Sequence, residues 1–251
     1  MTELGPGGMP GGRGTALVTG GSRGIGRGAV FEAARRGWDV VFTYRSRADE
    51  AAEVVRQSAD RGWTVEALQA DMADADAVRE LGAAMASRPA LSLLVNNAGI
   101  GMEDSLRNTK LENWNEALAV NLTAPMLLSQ ALADRLGENR GAIVNMSSSG
   151  GVVGSLHGPA YGSTKAALIG LTMTLARELA PAVRVTAIAP GPVDTELWAS
   201  LPEEQKTAVY AETPLGRVCT VEEISRVTLD VAEWTYVTGI VVVADGGRVM
   251  R

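Results

Sequence analysis

Tyr161 and Lys165 stand four residues apart in the run SSSGGVVGSLHGPAYGSTK, residues 147–165. On a helix that spacing puts both side chains on one face, with Cβ atoms roughly 5–6 Å apart. A tyrosine can give a proton to a carbonyl oxygen or take one from a hydroxyl. At its ordinary pKa of about 10, however, only ~0.1% is ionised at pH 7. A neighbouring cation favours the phenolate, since one charge at ~4 Å is worth ~4 kcal/mol at an effective dielectric near 20. That shift brings a phenol toward the range where general acid–base catalysis is most effective. There are four tyrosines, and the lysines are Lys110, Lys165 and Lys206, so the spacing rarely arises by chance. Ser148, just upstream, can hydrogen-bond a carbonyl oxygen and turn it toward Tyr161.

A second chemistry lies in TGGSRGIG, residues 19–26, between an apolar run and a segment of helical spacing. A helix that starts there presents unpaired N–H groups and partial positive charge, and a pyrophosphate is the natural guest. The candidate cradle is Gly20, Ser22, Arg23, Gly24, Ile25 and Gly26. Its Gly-x-x-x-Gly-x-Gly spacing differs from the common Gly-x-Gly-x-x-Gly fingerprint. About twenty residues on, NAD sites place an acid that accepts from the ribose 2′-OH. Tyr44 stands there instead, followed by Arg45 and Ser46. Arg45 with Arg23 suits a 2′-phosphate, because the guanidinium fork matches phosphate oxygens. Asp71 and Met72 are expected at the adenine rim, and Asn97, Ala98 and Gly99 at the same sheet edge.

Other chemistries are excluded or unsupported. His157 is the single histidine and Cys219 the single cysteine, so neither an internal disulfide nor a Cys/His zinc site can form; no metal site is expected. His157 lies in a Gly/Pro loop and no Gly-x-Ser-x-Gly elbow is present, which argues against a serine hydrolase. The net charge of −6 gives no reason to expect nucleic acid or an anionic membrane as partner. No apolar run approaches the ~18 residues of a membrane span, and the N-terminus does not read as a signal peptide. The expectation is a soluble cytoplasmic protein.

These groups need a scaffold that brings strand ends together. Of the 251 residues, 46% are hydrophobic, enough for one large core. Residues 1–13 are Gly- and Pro-rich and read as a flexible tail, leaving 14–251 as one domain. Strands are expected at residues 16–18, 40–43, 64–68, 91–95, 142–146, 184–188 and 240–243. Helices are expected at 24–36, 49–61, 74–86, 111–136, 159–179 and 221–231. Several strands are apolar on both faces, as in a parallel sheet covered by helices on both sides. The repeated alternation predicts an α/β, Rossmann-type doubly wound sheet, with ligands beyond the carboxyl ends of the strands.

With these motifs in place, the chain resembles the short-chain dehydrogenase/reductase family over about residues 14–247. The matching stretches are TGGSRGIG, NNAG, NLTAP, Ser148, YGSTK, PGPVDT and YVTGIVVVADGG. The resemblance implies a Ser148–Tyr161–Lys165 centre, with Asn121 completing a proton relay through water and Lys165 also holding the nicotinamide ribose. It implies that Pro190, Gly191, Val193 and Thr195 line the nicotinamide side. It further implies a homotetramer, with helices 111–136 and 159–179 packed across subunits. Residues 201–224 resemble the lid of 3-oxoacyl-acyl-carrier-protein reductases, yet the basic residue usual after the active-site helix is absent from LAPAVRV. Three readings stay open: an NADP(H)-dependent reductase of a ketone or 3-oxoacyl thioester, a dehydrogenase of a free alcohol, sugar or steroid, and a non-catalytic dinucleotide sensor.

Overall fold

The computed structural model describes residues 13–101, 105–155, 157–199 and 202–250, without the side chains of Leu197 and Gln205. Seven parallel strands form one sheet in the order β3-β2-β1-β4-β5-β6-β7. They are β1 Thr15–Val18, β2 Asp39–Tyr44, β3 Val65–Gln69, β4 Leu91–Asn96, β5 Ala142–Met146, β6 Arg184–Pro190 and β7 Val241–Ala244. Helices α1 Gly24–Arg35, α2 Ala48–Ala59, α3 Ala75–Ala86, α5 Ala124–Glu138, α7 Gly158–Leu179 and α10 Val221–Glu233 are the principal crossover helices. The chain winds one way through β1, β2 and β3, then crosses back to β4 beside β1. That reversal opens the crevice in which doubly wound sheets hold ligands.

Strands β1, β4 and β5 are buried along nearly their whole length, which is why their sequences do not alternate. Two apolar clusters cover the sheet faces. One gathers Phe42, Val95, Val144 and Ile224 under α1 and α10, the other Leu94, Leu128, Leu132 and Ile143 under α3 and α5. Tertiary burial supports these helices, with local help at their starts. Asp74 accepts from the amides of Asp76 and Ala77, and Thr220 forms a capping box with Glu223.

The expected strands and helices are present, with two differences. The run expected as one helix over 111–136 is three segments: α4 Leu111–Leu118, a π-helical turn Ala119–Thr123, and α5. Pro125 gives the reason. It has no N–H, and in α-helical register its ring would meet the carbonyl of Asn121, four residues back. The chain widens to π register over that turn instead. The lid region also carries helices, α8 Glu196–Ala199 and α9 Glu203–Glu212, joined by an edge contact of Trp198 on Tyr210 at 5.6 Å. Of the segment read as a tail, residues 1–12 lie outside the described residues. The Arg13 guanidinium pairs with Glu233 at 2.5 Å.

Candidate active site

Helix α7 carries Tyr161 and Lys165, and the end of β5 brings Ser148 to them. Pro159 at the first turn of α7 fits where an N–H would go unpaired. Just past β5, the Ser147 hydroxyl donates to the Lys165 carbonyl at 2.8 Å and ties strand to helix. Ser148 caps the short α6, Ser149–Val153, by accepting from the Gly150 amide at 3.1 Å. A hydroxyl has one hydrogen and two lone pairs, so that bond leaves its hydrogen for the Tyr161 oxygen.

Lys165 is 4% exposed, and its ammonium donates to the Met146 carbonyl at 2.8 Å. Burial pulls its pKa down to about 8, so it still carries charge at neutral pH. The ammonium lies 5.7 Å from the centroid of the Tyr161 ring. The Tyr161–Lys165 spacing predicts that this cation favours the phenolate and lowers the pKa of Tyr161. In the structure burial is the larger effect and pushes the phenol above its ordinary value, while a hydrogen bond with Ser148 lowers it. Tyr161 therefore holds its proton at neutral pH, as a proton donor must.

Asn121, in the π-helical turn, is fully buried. Its Oδ1 accepts from the Ile100 amide at 2.8 Å, and its Nδ2 donates to the Ile100 carbonyl and to Thr164 Oγ1, both at 3.0 Å. Thr164 in turn donates to the Tyr161 carbonyl at 2.9 Å. The side chain thus braces the loop after β4 against the turn of α7 that bears the phenol. Gly99 sits in the same corner. A Cβ there would lie 3.1 Å from Lys165 Nζ and 3.3 Å from Asn121 Oδ1. His157 stacks edge-on to the Tyr161 ring at 5.7 Å.

The glycine loop joins β1 to α1 at the crevice. Gly24 has φ +52° and open space around its Cβ position, with only the Thr195 methyl within 4 Å. Gly26 serves a different need, since a Cβ would fall 2.1 Å from the Gly20 carbonyl oxygen. One glycine leaves room above the helix start and the other lets α1 pack on the loop. Thr19 fixes the turn to the end of β4 by accepting from the amides of Asn97 and Ala98 at 3.0 and 2.9 Å. Asn97 Nδ2 donates back to the Thr19 carbonyl at 2.9 Å. An open cradle of main-chain N–H groups at a helix start fits a dinucleotide pyrophosphate.

The remaining candidates fall around this cradle, in differing roles. Tyr44 closes β2, and Arg45 and Ser46 follow it in exposed positions. Ser22 is buried, and Ile25 packs against the core beneath the loop. Asp71 accepts from the Ala73 amide at 2.9 Å, whereas the Met72 side chain belongs to the core. Pro190 ends β6, and Gly191 comes so close to Asp245 that a Cβ would lie 2.8 Å from its Cα. Val193 is buried beside Cys219, and the Thr195 hydroxyl donates to the Val193 carbonyl at 3.3 Å. Arg23 pairs with Glu196 at 3.6 Å, and Arg45 with Glu116 at 3.5 Å. Sequence reasoning assigned no role to Thr19, Thr164, Glu116 or Glu196. Thr19 had a signal, its place at the head of the glycine motif. The two glutamates reach their arginines across long sequence separations and had none.

A parallel sheet reversing at β1 and β4, with a glycine loop and a Ser–Tyr–Lys group whose lysine is buried at one edge, defines a dinucleotide-binding α/β enzyme. Residues 14–206 match the short chain dehydrogenase family, and the chain belongs to it; it is an oxidoreductase. Over 241 residues the chain is 35% identical to the 3-oxoacyl-[acyl-carrier-protein] reductase FabG of Staphylococcus aureus, covering 94% of this chain and 98% of that one. It is also 35% identical over 238 residues to that of Aquifex aeolicus, covering 92% and 96%. Among solved structures it is similar to a short chain dehydrogenase from Burkholderia cenocepacia in complex with NADP. That pair has a TM-score of 0.86 and 34% identity, over 94% of this chain and 97% of that one. A blue fluorescent protein from a metagenomic library in complex with NADPH gives a TM-score of 0.88 at 32% identity, over 94% and 98%.

Proposed function

We propose that this enzyme is an NADP(H)-dependent reductase that converts a ketone, a 3-oxoacyl thioester or a related free ketone, to a secondary alcohol. The observation that carries the reading is the Tyr161 phenol beside Ser148 and the buried Lys165 ammonium, 5.7 Å from its ring centroid, at the mouth of a dinucleotide cradle. When bound, the reduced nicotinamide supplies hydride to the carbonyl carbon. Ser148 turns its hydrogen from the Tyr161 oxygen to the carbonyl oxygen and orients it. Tyr161 gives its proton to that oxygen as negative charge develops there. Lys165 steadies the phenolate that results and holds the ribose hydroxyls. Because the Asn121 side chain is committed to Ile100 and Thr164, a relay to water runs through its main-chain carbonyl, which Pro125 keeps out of α-helical pairing. Ser22, Gly24 and Ile25 face the pyrophosphate with main chain, Gly20 shapes the turn with its amide donating to Thr43 Oγ1 at 3.1 Å, and Arg45 takes the 2′-phosphate. The relatives named as reductases of carrier-bound substrates and the neighbours solved with NADP and NADPH support the same reading. Exposed Met126 on α5 and Met173 on α7 support assembly of a homotetramer through those helices.

Tyr161→Phe tests the mechanism. It removes the proton donor and keeps the ring, so turnover of a 3-oxoacyl thioester should drop at least ~10²-fold. NADPH binding, read by fluorescence titration, should stay within about twofold. Turnover near the wild-type rate would overturn the assignment of Tyr161 as acid.

A further inference from the structure

The arginine assigned to the 2′-phosphate is already partnered within the chain. Arg45 follows β2, and its guanidinium lies 3.5 Å from the carboxylate of Glu116 on α4. Both side chains are about half exposed, at 55% and 42%. Helix α4 thus brings a negative charge to the guanidinium that the sequence offers to a 2′-phosphate. A second carboxylate, Glu112, is exposed one turn earlier on the same helix.

We propose that Glu116 is a specificity-determining residue that competes with the 2′-phosphate for Arg45 and holds down the affinity for the phosphorylated cofactor. This rests on the reading of Arg45 as the 2′-phosphate ligand. The competition has two parts. Arg45 must leave or share its carboxylate before it can offer its fork to phosphate. A phosphate held by Arg45 then lies well inside one screening length of the Glu116 charge, which is about 8–10 Å at ordinary ionic strength. A dinucleotide without the 2′-phosphate meets neither obstacle. Glu116 therefore narrows the gap between the two cofactors, while Arg45 sets its direction. The pair is too exposed to matter greatly for stability, so changing Glu116 should leave the fold intact.

The test uses the full chain and two small probes, 2′,5′-ADP and 5′-AMP, which differ by the 2′-phosphate alone. Calorimetric titration of Glu116→Gln should show 2′,5′-ADP bound about three- to tenfold more tightly at low salt, with 5′-AMP within about twofold of wild type. The gain should fade at about 0.5 M salt and shrink by at least about half in an Arg45→Gln background, because part of it depends on the guanidinium. Circular dichroism should show an unchanged fold. Equal tightening of both probes, or no change in either, overturns the proposal. The underlying reading has its own control: wild type should prefer 2′,5′-ADP to 5′-AMP. If it does not, the assignment of Arg45 falls and the proposal with it. If it does and Glu116→Gln changes nothing, the proposal alone falls.

Discussion

At the scale of single residues, the active corner is built by close approach. Gly99 gives the clearest case, because any side chain there would press on both Lys165 and Asn121. Gly99→Ala should push Lys165 or the Asn121 brace aside by a few tenths of an ångström or more. Misplacement of about 1 Å at a catalytic group can cost ~10²-fold, so kcat should fall by about 10- to 100-fold. The thermal midpoint should change by no more than about 5 °C, because the site is at the crevice and not in the core. Unchanged kcat in a folded variant would show that the corner has slack. The ionisation of Tyr161 follows the same local logic. Burial keeps its proton on and Ser148 moderates that effect, so a sequence spacing that places a lysine nearby does not by itself fix the pKa.

At the scale of elements, α1 and α10 are joined by an ion network as well as by apolar packing. Glu32 is bound by Arg35 and Arg36 at 2.7–2.8 Å, and Arg36 reaches on to Asp230 and Glu233. The hydrogen bond from Arg35 leads in holding the Glu32 carboxyl at about 2, against partial burial. The folded value lies below the unfolded one, so the contribution is present above the unfolded pKa of about 4.5 and is lost as pH falls toward about 2. With solvent screening of the exposed Arg35 counted, it is about 1–3 kcal/mol at neutral pH. Glu32→Gln should therefore be destabilised by about 1–3 kcal/mol in urea unfolding at pH 7. The deficit should narrow steadily below about pH 5. A deficit independent of pH would mean that packing, and not charge, carries the effect.

At the scale of the whole molecule, charge bears on how substrate arrives. Docking an acidic carrier protein relies on basic surface, which steers association and weakens with salt. The net charge is −6. A cleft of about 520 Å³ between the ends of α5 and α7 is lined by Asp134, Glu138 and Glu178. Of the two arginines at and just past the end of α5, Arg135 pairs with Glu138 at 2.5 Å and donates to the Ala86 carbonyl at 3.0 Å, whereas Arg140 is exposed. We expect kcat/KM for one 3-oxoacyl group to be within about tenfold on a carrier protein and on a short thiol, with little salt dependence. A large advantage for the carrier that disappears with salt would contradict this. Among the described residues, no helix is long and apolar enough to cross a membrane.

What the sequence determined by itself is whatever has a short period or a local motif. Strands buried on both faces, helices of regular spacing, the glycine loop, Ser148 and the Tyr161–Lys165 pair were all legible, because each depends on neighbours within a few turns. The tertiary structure alone decided what depends on distant partners. Glu116 beside Arg45, Thr19 clamped to Asn97, and Asn121 braced to Thr164 join segments that only the sheet order brings together. The π-helical turn lies between these cases. Pro125 was visible in NLTAP, yet a proline can stop a helix, kink it or widen it. Here the buried hydrogen bonds of Asn121 hold the widened turn in place, and those bonds exist only once β4, α5 and α7 have packed together.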